Sequence, residues 1–299
     1  MSEHSGIEWT DATWNPVTGC TKVSPGCAHC YIEDTPPMRK DGRRFVKGEL
    51  PLRFHPDRLE KPLHWRRPRM VFVNSMSDLF HEDIPDYFVN RVFRVMALAP
   101  QHTFQVLTKR PERMLDVVSR VVYDGKAGDG WHPIMPNVWL GVTIENRRYV
   151  DRADLLRQTP AAVRFISAEP LLGRLIPHWT RYGDCWSDGS PADGCGLDLT
   201  GIDWLIVGGE SGPKHRPMRP EWVRDLRDAC RCTTCWGHGR LCSDDGLNMD
   251  CVRCGKRGTT TAFFFKQWGG RTPKSGGREL DGRTWDEFPT VVHRHPVAA

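Results

Sequence analysis

Residues 70–78, MVFVNSMSD, set the pattern of the whole chain. An apolar run stops abruptly on a polar cluster, Asn74-Ser75-Met76-Ser77-Asp78. Nearly continuous apolar runs of this length are how strands buried on both faces read. Five more follow the same rule. Residues 103–107 (TFQVL) lead to Thr108-Lys109-Arg110, and 138–142 (VWLGV) lead to Thr143, Glu145 and Asn146. Residues 163–166 (VRFI) lead to Ser167 and Glu169. Residues 204–207 (WLIV) lead to Gly208-Gly209-Glu210-Ser211, and 262–265 (AFFF) to Lys266 and Gln267.

Helical periodicity fills the gaps. Residues 85–99 carry Phe88, Val92, Val95, Met96 and Ala99 at helical spacing, with Asp83 and Pro85 as start signals. Residues 111–122, 146–156 and 220–229 read as further helices. Strands alternating with helices argue for an α/β fold with a parallel sheet, open or closed into a barrel. The expectation is a partial or full parallel (β/α) barrel.

Ligands of such folds sit at the carboxyl ends of the strands. The candidates there are Ser75, Ser77, Asp78, Thr108, Lys109, Thr143, Glu145, Asn146, Ser167, Glu169, Gly208, Gly209, Glu210 and Ser211. Each cluster alone could be an ordinary polar loop start. All of them in succession favour a polar site. The Gly-Gly after the fifth run matches neither the dinucleotide fingerprint nor the phosphate-cradling P-loop.

The chain has 299 residues, 39% of them apolar and 26% charged, enough for a real core and against global disorder. No apolar run approaches a membrane span, and residues 1–9 lack the apolar stretch of a secretion signal. A cytoplasmic location is therefore expected. The eleven cysteines are clumped, and without a secretion signal metal ligation is the stronger reading.

Cys20, Cys27 and Cys30 form C-x6-C-x2-C within residues 14–31, a Gly- and Pro-containing stretch that reads as a loop. Three thiolates leave one position open, whereas structural zinc wants four closed ligands. Zinc with His29 as a fourth ligand is the alternative. Farther on, Cys232-x2-Cys235 and Cys251-x2-Cys254 have the spacing of a four-cysteine zinc ribbon, inserted before the last strand. An auxiliary cluster or disulfides are the alternatives there. Cys230 and Cys242 are spare, open as alternative ligands or as part of an auxiliary cluster, and Cys185 and Cys195 have no clear partner, with a disulfide, a metal contribution or neither all open. The expected organisation is a core over 1–228, the insert over 229–261, and a last strand with its tail over 262–299.

The net charge of +5 is local as well. Residues 36–69 hold eleven Lys and Arg against four Asp and Glu, a net +7. Phe54, His55, His64 and Trp65 lie among them. Basic residues interleaved with aromatic ones suit phosphate contact and base stacking. A solvated insertion is the plainer alternative.

An N-terminal three-cysteine segment before a parallel α/β pattern resembles the radical SAM superfamily, and Gly208-Gly209-Glu210 resembles its S-adenosylmethionine-contacting motif. The usual spacing there is C-x3-C-x2-C, from which this chain departs. Seven segments resemble an uncharacterised phage-associated family placed beside that superfamily. They are residues 7–31, 71–85 (VFVNSMSDLFHEDIP), 107–111 (LTKRP), 140–146 (LGVTIEN), 165–173 (FISAEPLLG), 204–219 and 263–269 (FFFKQWG). The cysteine insert is an addition to that pattern.

The resemblance implies a [4Fe–4S] cluster on Cys20, Cys27 and Cys30. Its fourth iron would bind S-adenosylmethionine, and one electron would release a 5′-deoxyadenosyl radical that abstracts hydrogen from a C–H bond. It also implies an electron donor such as a flavodoxin or ferredoxin. A nucleic-acid base or nucleotide is the expected substrate, modified or isomerised, with phage DNA as one setting and the host cytoplasm as the location. Lys109, Glu145, Glu169 and Glu210 are the candidate catalytic groups, and the other strand-end residues the candidate cofactor contacts. The rivals are a zinc-containing nucleic-acid-binding protein without radical chemistry, and a hydrolase or lyase working through Asp78, Glu169 and Glu210.

Overall fold

The structure, a computed structural model, describes residues 4–34, 49–123, 134–176, 196–231, 240–242, 248–250 and 260–290. All six expected strands are present. They are β4 (Met70–Val73), β5 (Thr103–Thr108), β6 (Val138–Thr143), β7 (Val163–Ala168), β8 (Trp204–Gly208) and β11 (Ala262–Gln267). A seventh parallel strand, β1 (Ala12–Trp14), pairs with β4. It lies partly in the cysteine segment that the sequence reads as a loop. At three residues it is too short to show a period of its own, and pairing with β4 is what orders it.

The sheet order is β1-β4-β5-β6-β7-β8-β11, with every resolved pairing parallel. The order never reverses, so the sheet lacks the switch point of a doubly wound fold. It progresses as a barrel does, yet β1 and β11 are not neighbours. The order is that of a partial barrel, not a full one.

The helices between the strands are α2 (Asp86–Ala97), α3 (Pro111–Tyr123), α4 (Arg152–Gln158) and α5 (Pro220–Ala229). A single turn, α1 (Pro56–Leu59), precedes β4. The expected helix over 146–156 is instead a 3₁₀ turn, Arg147–Tyr149, followed by α4. Asn146 caps that turn, accepting from the Arg148 N–H at 3.0 Å. A short helix has little propagation to repay nucleation, so a break at the cap costs little.

The chain forms two compact units. One comprises Met1–Ile144, Asp154–Ser167 and Thr290–Ala299, the other Glu145–Ala153 and Ala168–Pro289. The first unit buries Trp14, Phe80, Phe104, Val106 and Val142. The Trp14 indole N–H donates to the Arg58 carbonyl at 2.8 Å, so its one polar atom is satisfied in the core. The second unit buries Trp204 and Phe263–Phe264–Phe265. Its tail turns back along β11. The Phe265 N–H donates to Trp285 O at 2.9 Å, Glu287 N–H to Phe263 O at 3.2 Å, and Phe264 bridges Asp286 antiparallel. That run occupies an edge that would otherwise offer unpaired backbone groups.

Candidate functional site

The strand-end residues form two groups, one in each unit. In the first unit, the cysteines begin on a hairpin rather than a loop. Cys20 lies on β2 (Val17–Thr21), which pairs antiparallel with β3 (Glu49–Phe54). The register shifts between Thr18 and Cys20. Gly19 sits in that bulge at φ 98°, where an added Cβ would lie 2.2 Å from the Pro51 carbonyl oxygen. Only glycine fits there, and the bulge sets the direction in which Cys20 leaves the strand.

Cys27 ends a 3₁₀ turn, Pro25–Cys27, and Cys30 immediately precedes another, Tyr31–Asp34. Lys22 staples this stretch by donating to Ala28 O at 3.2 Å and pairing with Glu33. Cys30 packs with Met76 against Ile32 and Leu50. All three cysteines are free and partly buried. Burial pushes the Cys20 thiol up to about 11, with Asp78 adding to the rise and Arg110 opposing it. Burial raises the Cys30 thiol as well, against Lys109, which favours its thiolate.

The hairpin is fastened to the end of β4. Asn15 Oδ1 accepts from the Met76 N–H at 2.9 Å, Gly19 N–H donates to Met76 O at 3.0 Å, and Ser77 Oγ donates to Val17 O at 3.0 Å. Ser75 Oγ bonds the Asn15 amide, and the Tyr31 hydroxyl donates to the Ser75 carbonyl. Ser75 and Ser77 are therefore held within the protein as braces of the cysteine segment.

Asp78 is the centre of this fastening. Its Oδ1 accepts from Thr108 Oγ1 at 2.7 Å and Phe80 N–H at 3.0 Å. Its Oδ2 accepts from Lys109 N–H and Arg110 Nη1, each at 3.1 Å. A carboxylate with these four donors is an anchor, not a free base. Arg110 in turn reaches Cys20 Sγ at 3.8 Å, Thr21 Oγ1 at 2.8 Å and Thr21 O at 3.2 Å. Burial works against the charge of Arg110, but Asp78 and Cys20 outweigh it and raise its pKa. Thr21 Oγ1 also meets His81 Nε2 at 2.8 Å. His81 Nδ1 accepts from the Asp83 N–H, so Nε2 carries the proton and donates to Thr21.

Lys109 extends its ammonium to Thr143 Oγ1 at 3.3 Å. Ser167 is buried on β7, and its carbonyl accepts from Ile144 N–H at 3.0 Å. Two groups that the sequence does not single out stand apart. Asn74 has φ 55° and 3% exposure, and neither amide atom has a hydrogen-bond partner. Arg110 Nε is likewise buried and unpartnered. Orphaned buried polar atoms are costly and call for an explanation.

In the second unit the carboxylates are paired. Glu145, fully buried, meets Arg152 at 3.2 Å. Glu169 meets Lys266 at 3.1 Å. Glu210 takes Arg216 in a fork, Nε to Oε2 at 2.9 Å and Nη2 to Oε1 at 2.6 Å, and also accepts from the Arg216 N–H. That fork raises the Arg216 pKa, with a further contribution from Glu145. Ser211 Oγ accepts from Gln267 at 3.0 Å.

The glycines are explained by packing. A Cβ on Gly209 would lie 2.0 Å from the Trp268 carbonyl oxygen, and one on Gly208 would lie 2.4 Å from Glu169 Oε1. Arg152 and Arg216 are the partners that strand patterning misses, because both lie outside the strand ends, whereas Lys266 stands at the end of its own strand.

A family model described as "Protein of unknown function (DUF5131)" matches residues 4–236. The chain belongs to the DUF5131 family. No curated protein matches it. Two solved structures share 12% identity over 79% of the chain. One is a spore photoproduct lyase mutant with bound AdoMet and dinucleoside spore photoproduct, at a TM-score of 0.38 over 66% of its length, just short of two thirds. The other is spore photoproduct lyase complexed with dinucleoside spore photoproduct, at 0.35 over 67%. Likenesses so distant bear on neither fold nor chemistry.

The DUF5131 match stops between the two cysteine pairs of the insert. Cys232, Cys235, Cys251 and Cys254 lie outside the described residues, as do Cys185 and Cys195. What is described there is a hairpin, β9 (Arg240–Cys242) with β10 (Asn248–Asp250). Cys230 ends α5 fully buried, and burial holds its thiol protonated. Among the described residues no three His, Cys, Asp or Glu side chains are gathered to hold a metal ion, so Cys20, Cys27 and Cys30 are not a closed cage.

Their chemistry nevertheless fits a thiolate-held, negatively charged group. Cys27 acts electrostatically on both other thiols, Arg110 and Lys109 supply cations, and Arg110 Nε–H lacks an acceptor. Within the basic segment, residues 36–48 lie outside the description. Lys61, Arg66 and Arg67 are exposed, but Trp65 is buried edge-on to His102 under Arg69 and is not free to stack on a base. No described helix is long and apolar enough to cross a membrane.

Proposed function

We propose that the chain is a radical SAM-like enzyme in which Cys20, Cys27 and Cys30 hold a [4Fe–4S] cluster that binds S-adenosylmethionine. The observation that carries this reading is the fastening of the cysteine hairpin to the ends of β4 and β5. Gly19, Ser77, Asp78 and Arg110 all act on the segment that presents Cys20. A disposable loop would not recruit a buried ion pair. When bound, the cluster and S-adenosylmethionine supply one-electron cleavage of the sulfonium and a 5′-deoxyadenosyl radical, and an electron donor such as a flavodoxin or ferredoxin is required.

The chain's own residues do the rest. Lys109, within reach of Thr143 and electrostatically near Cys30, is placed to meet an anionic group. Asn74 offers one amide donor and one acceptor to a ligand carrying the complementary pair. In the second unit, Glu145, Glu169 and Glu210 are held as ion pairs, which suits orientation of a bound group rather than general-base work. The substrate class is a nucleic-acid base or nucleotide, supported by the basic run of residues 36–69. Zinc on Cys232, Cys235, Cys251 and Cys254 belongs to the same proposal.

Anaerobic purification with iron and sulfide analysis tests it. The expected result is a brown protein with about four irons per chain, lost on replacing any of Cys20, Cys27 or Cys30. Reduction should then yield methionine and 5′-deoxyadenosine. A colourless anaerobic preparation holding only zinc refutes it and favours a zinc-containing nucleic-acid-binding protein. Salt-dependent DNA binding weakened by R66E and R67E supports the substrate class, and binding indifferent to them removes it.

A further inference from the structure

Arg110 has an unusual position for a buried cation. It lies two residues past the end of β5, is 8% exposed, and spends one guanidinium on two jobs. Nη1 is shared between Asp78 Oδ2 at 3.1 Å and Cys20 Sγ at 3.8 Å. Nη2 holds both the carbonyl and the hydroxyl of Thr21, the next residue in the hairpin. The guanidinium plane is thereby fixed from both sides. Its backbone N–H donates to Thr108 Oγ1 at 2.9 Å, and Thr108 donates to Asp78, so the group that grips Arg110 is itself gripped. A plain structural ion pair needs only Asp78. The contact with the sulfur, and the orphaned Nε, are left over from that account.

We propose that Arg110 is a positioning residue for the cluster ligand Cys20: its guanidinium, locked by Asp78 and Thr21, donates a hydrogen bond to the Cys20 sulfur and keeps a permanent positive charge beside it. This rests on the reading that Cys20 ligates an iron–sulfur cluster. Hydrogen bonds to ligand sulfurs and nearby positive charge stabilise the more negative, reduced state of such a cluster, and so raise its reduction potential. The guanidinium cannot lose its proton at any working pH, so the effect is constant.

Two measurements on the full chain decide it. The first is an anaerobic redox titration of wild type, R110K and R110Q, followed by the signal of the reduced cluster. R110Q is expected to retain iron and shift to lower potential, with R110K between it and wild type. An R110Q potential equal to that of wild type overturns the proposal. The second needs no variant, and so stands even where R110Q fails to fold. Wild-type protein made with guanidino-¹⁵N arginine is reduced and studied by pulsed paramagnetic resonance. A ¹⁵N coupling to the cluster is expected, since Arg110 is the guanidinium bonded to Cys20 Sγ. A reduced cluster with no such coupling overturns the proposal while leaving the cluster reading intact. Wild-type protein that assembles no cluster fails the reading itself.

Discussion

At the scale of single residues, the buried charges of the first unit are anchors before they are chemistry. Asp78 accepts four hydrogen bonds, two of them from the backbone N–H groups of Phe80 and Lys109. Removing it leaves Arg110 buried without its carboxylate. Breaking a buried pair from one side typically costs about 3–5 kcal/mol. D78A is therefore expected to lose that order of unfolding free energy in urea, and a loss under about 1 kcal/mol would show the pair to be solvated instead.

The two glycines at the end of β8, Gly208 as its last residue and Gly209 just beyond, give a graded prediction. G209A must push its new methyl into the Trp268 backbone carbonyl, whereas G208A meets only the end of the Glu169 side chain, which can swing away from Lys266. Overpacking against rigid backbone costs about 1–3 kcal/mol. G209A should melt clearly lower than G208A, and the reverse order would contradict the close approach.

At the scale of elements, the strands were legible and the hairpin was not, for a physical reason. Six strands bury both faces, so their apolar runs are nearly unbroken and the sequence shows them without ambiguity. β1 and β2 carry polar residues such as Thr13, Thr18 and Thr21 in few positions, and their order comes from partners far along the chain, β4 and β3. No local pattern reports a partner some thirty to sixty residues away. The same holds for the site. The strand-end clusters announced Asp78, Lys109 and Glu210, but not that Arg110 spans to the cysteines or that Arg216 forks Glu210, because pairing is a tertiary fact.

Helix α5 has a comparable long-range attachment. Asp281, from the tail, accepts from Arg224 and Arg227, and hydrogen bonding to Arg224, then Arg227, lowers its pKa from 3.8 to about 2. A carboxylate depressed in the folded state stabilises it above its unfolded pKa, and the contribution is lost as pH falls from about 4 toward 2. The pair is exposed and screened, so the effect is small. The gap in melting temperature between wild type and D281N should shrink over that window and also in high salt. A gap that persists at pH 2 would place the stabilisation elsewhere.

At the scale of the whole molecule, the response to acid follows from histidines that the fold keeps neutral. His55, His81 and His102 all have lowered pKa values, burial being the largest cause in each. Arg58 and Arg110 add to it for His55 and His81, while hydrogen bonds to Pro62 and Trp65 oppose it for His102. His102 places Nε2 3.1 Å from the Pro62 carbonyl and leaves Nδ1 buried without a partner. His81 already accepts a backbone N–H at Nδ1. A second proton would therefore meet either no acceptor or another donor.

A base whose pKa is lower when folded binds fewer protons in the native state, so stability rises with pH and falls as pH drops below the unfolded value near 6.5. The chain already carries +5 with its histidines neutral, and each protonation adds to that repulsion. The urea midpoint is expected to be level above about pH 7 and to fall steadily from about pH 6.5 to 5. H102Q keeps a donor for the Pro62 carbonyl but does not titrate, so it should flatten part of that slope while lowering the plateau. A wild-type midpoint that stays level down to pH 5 would mean these imidazoles charge freely in the folded protein, and that their burial is not what the contacts imply.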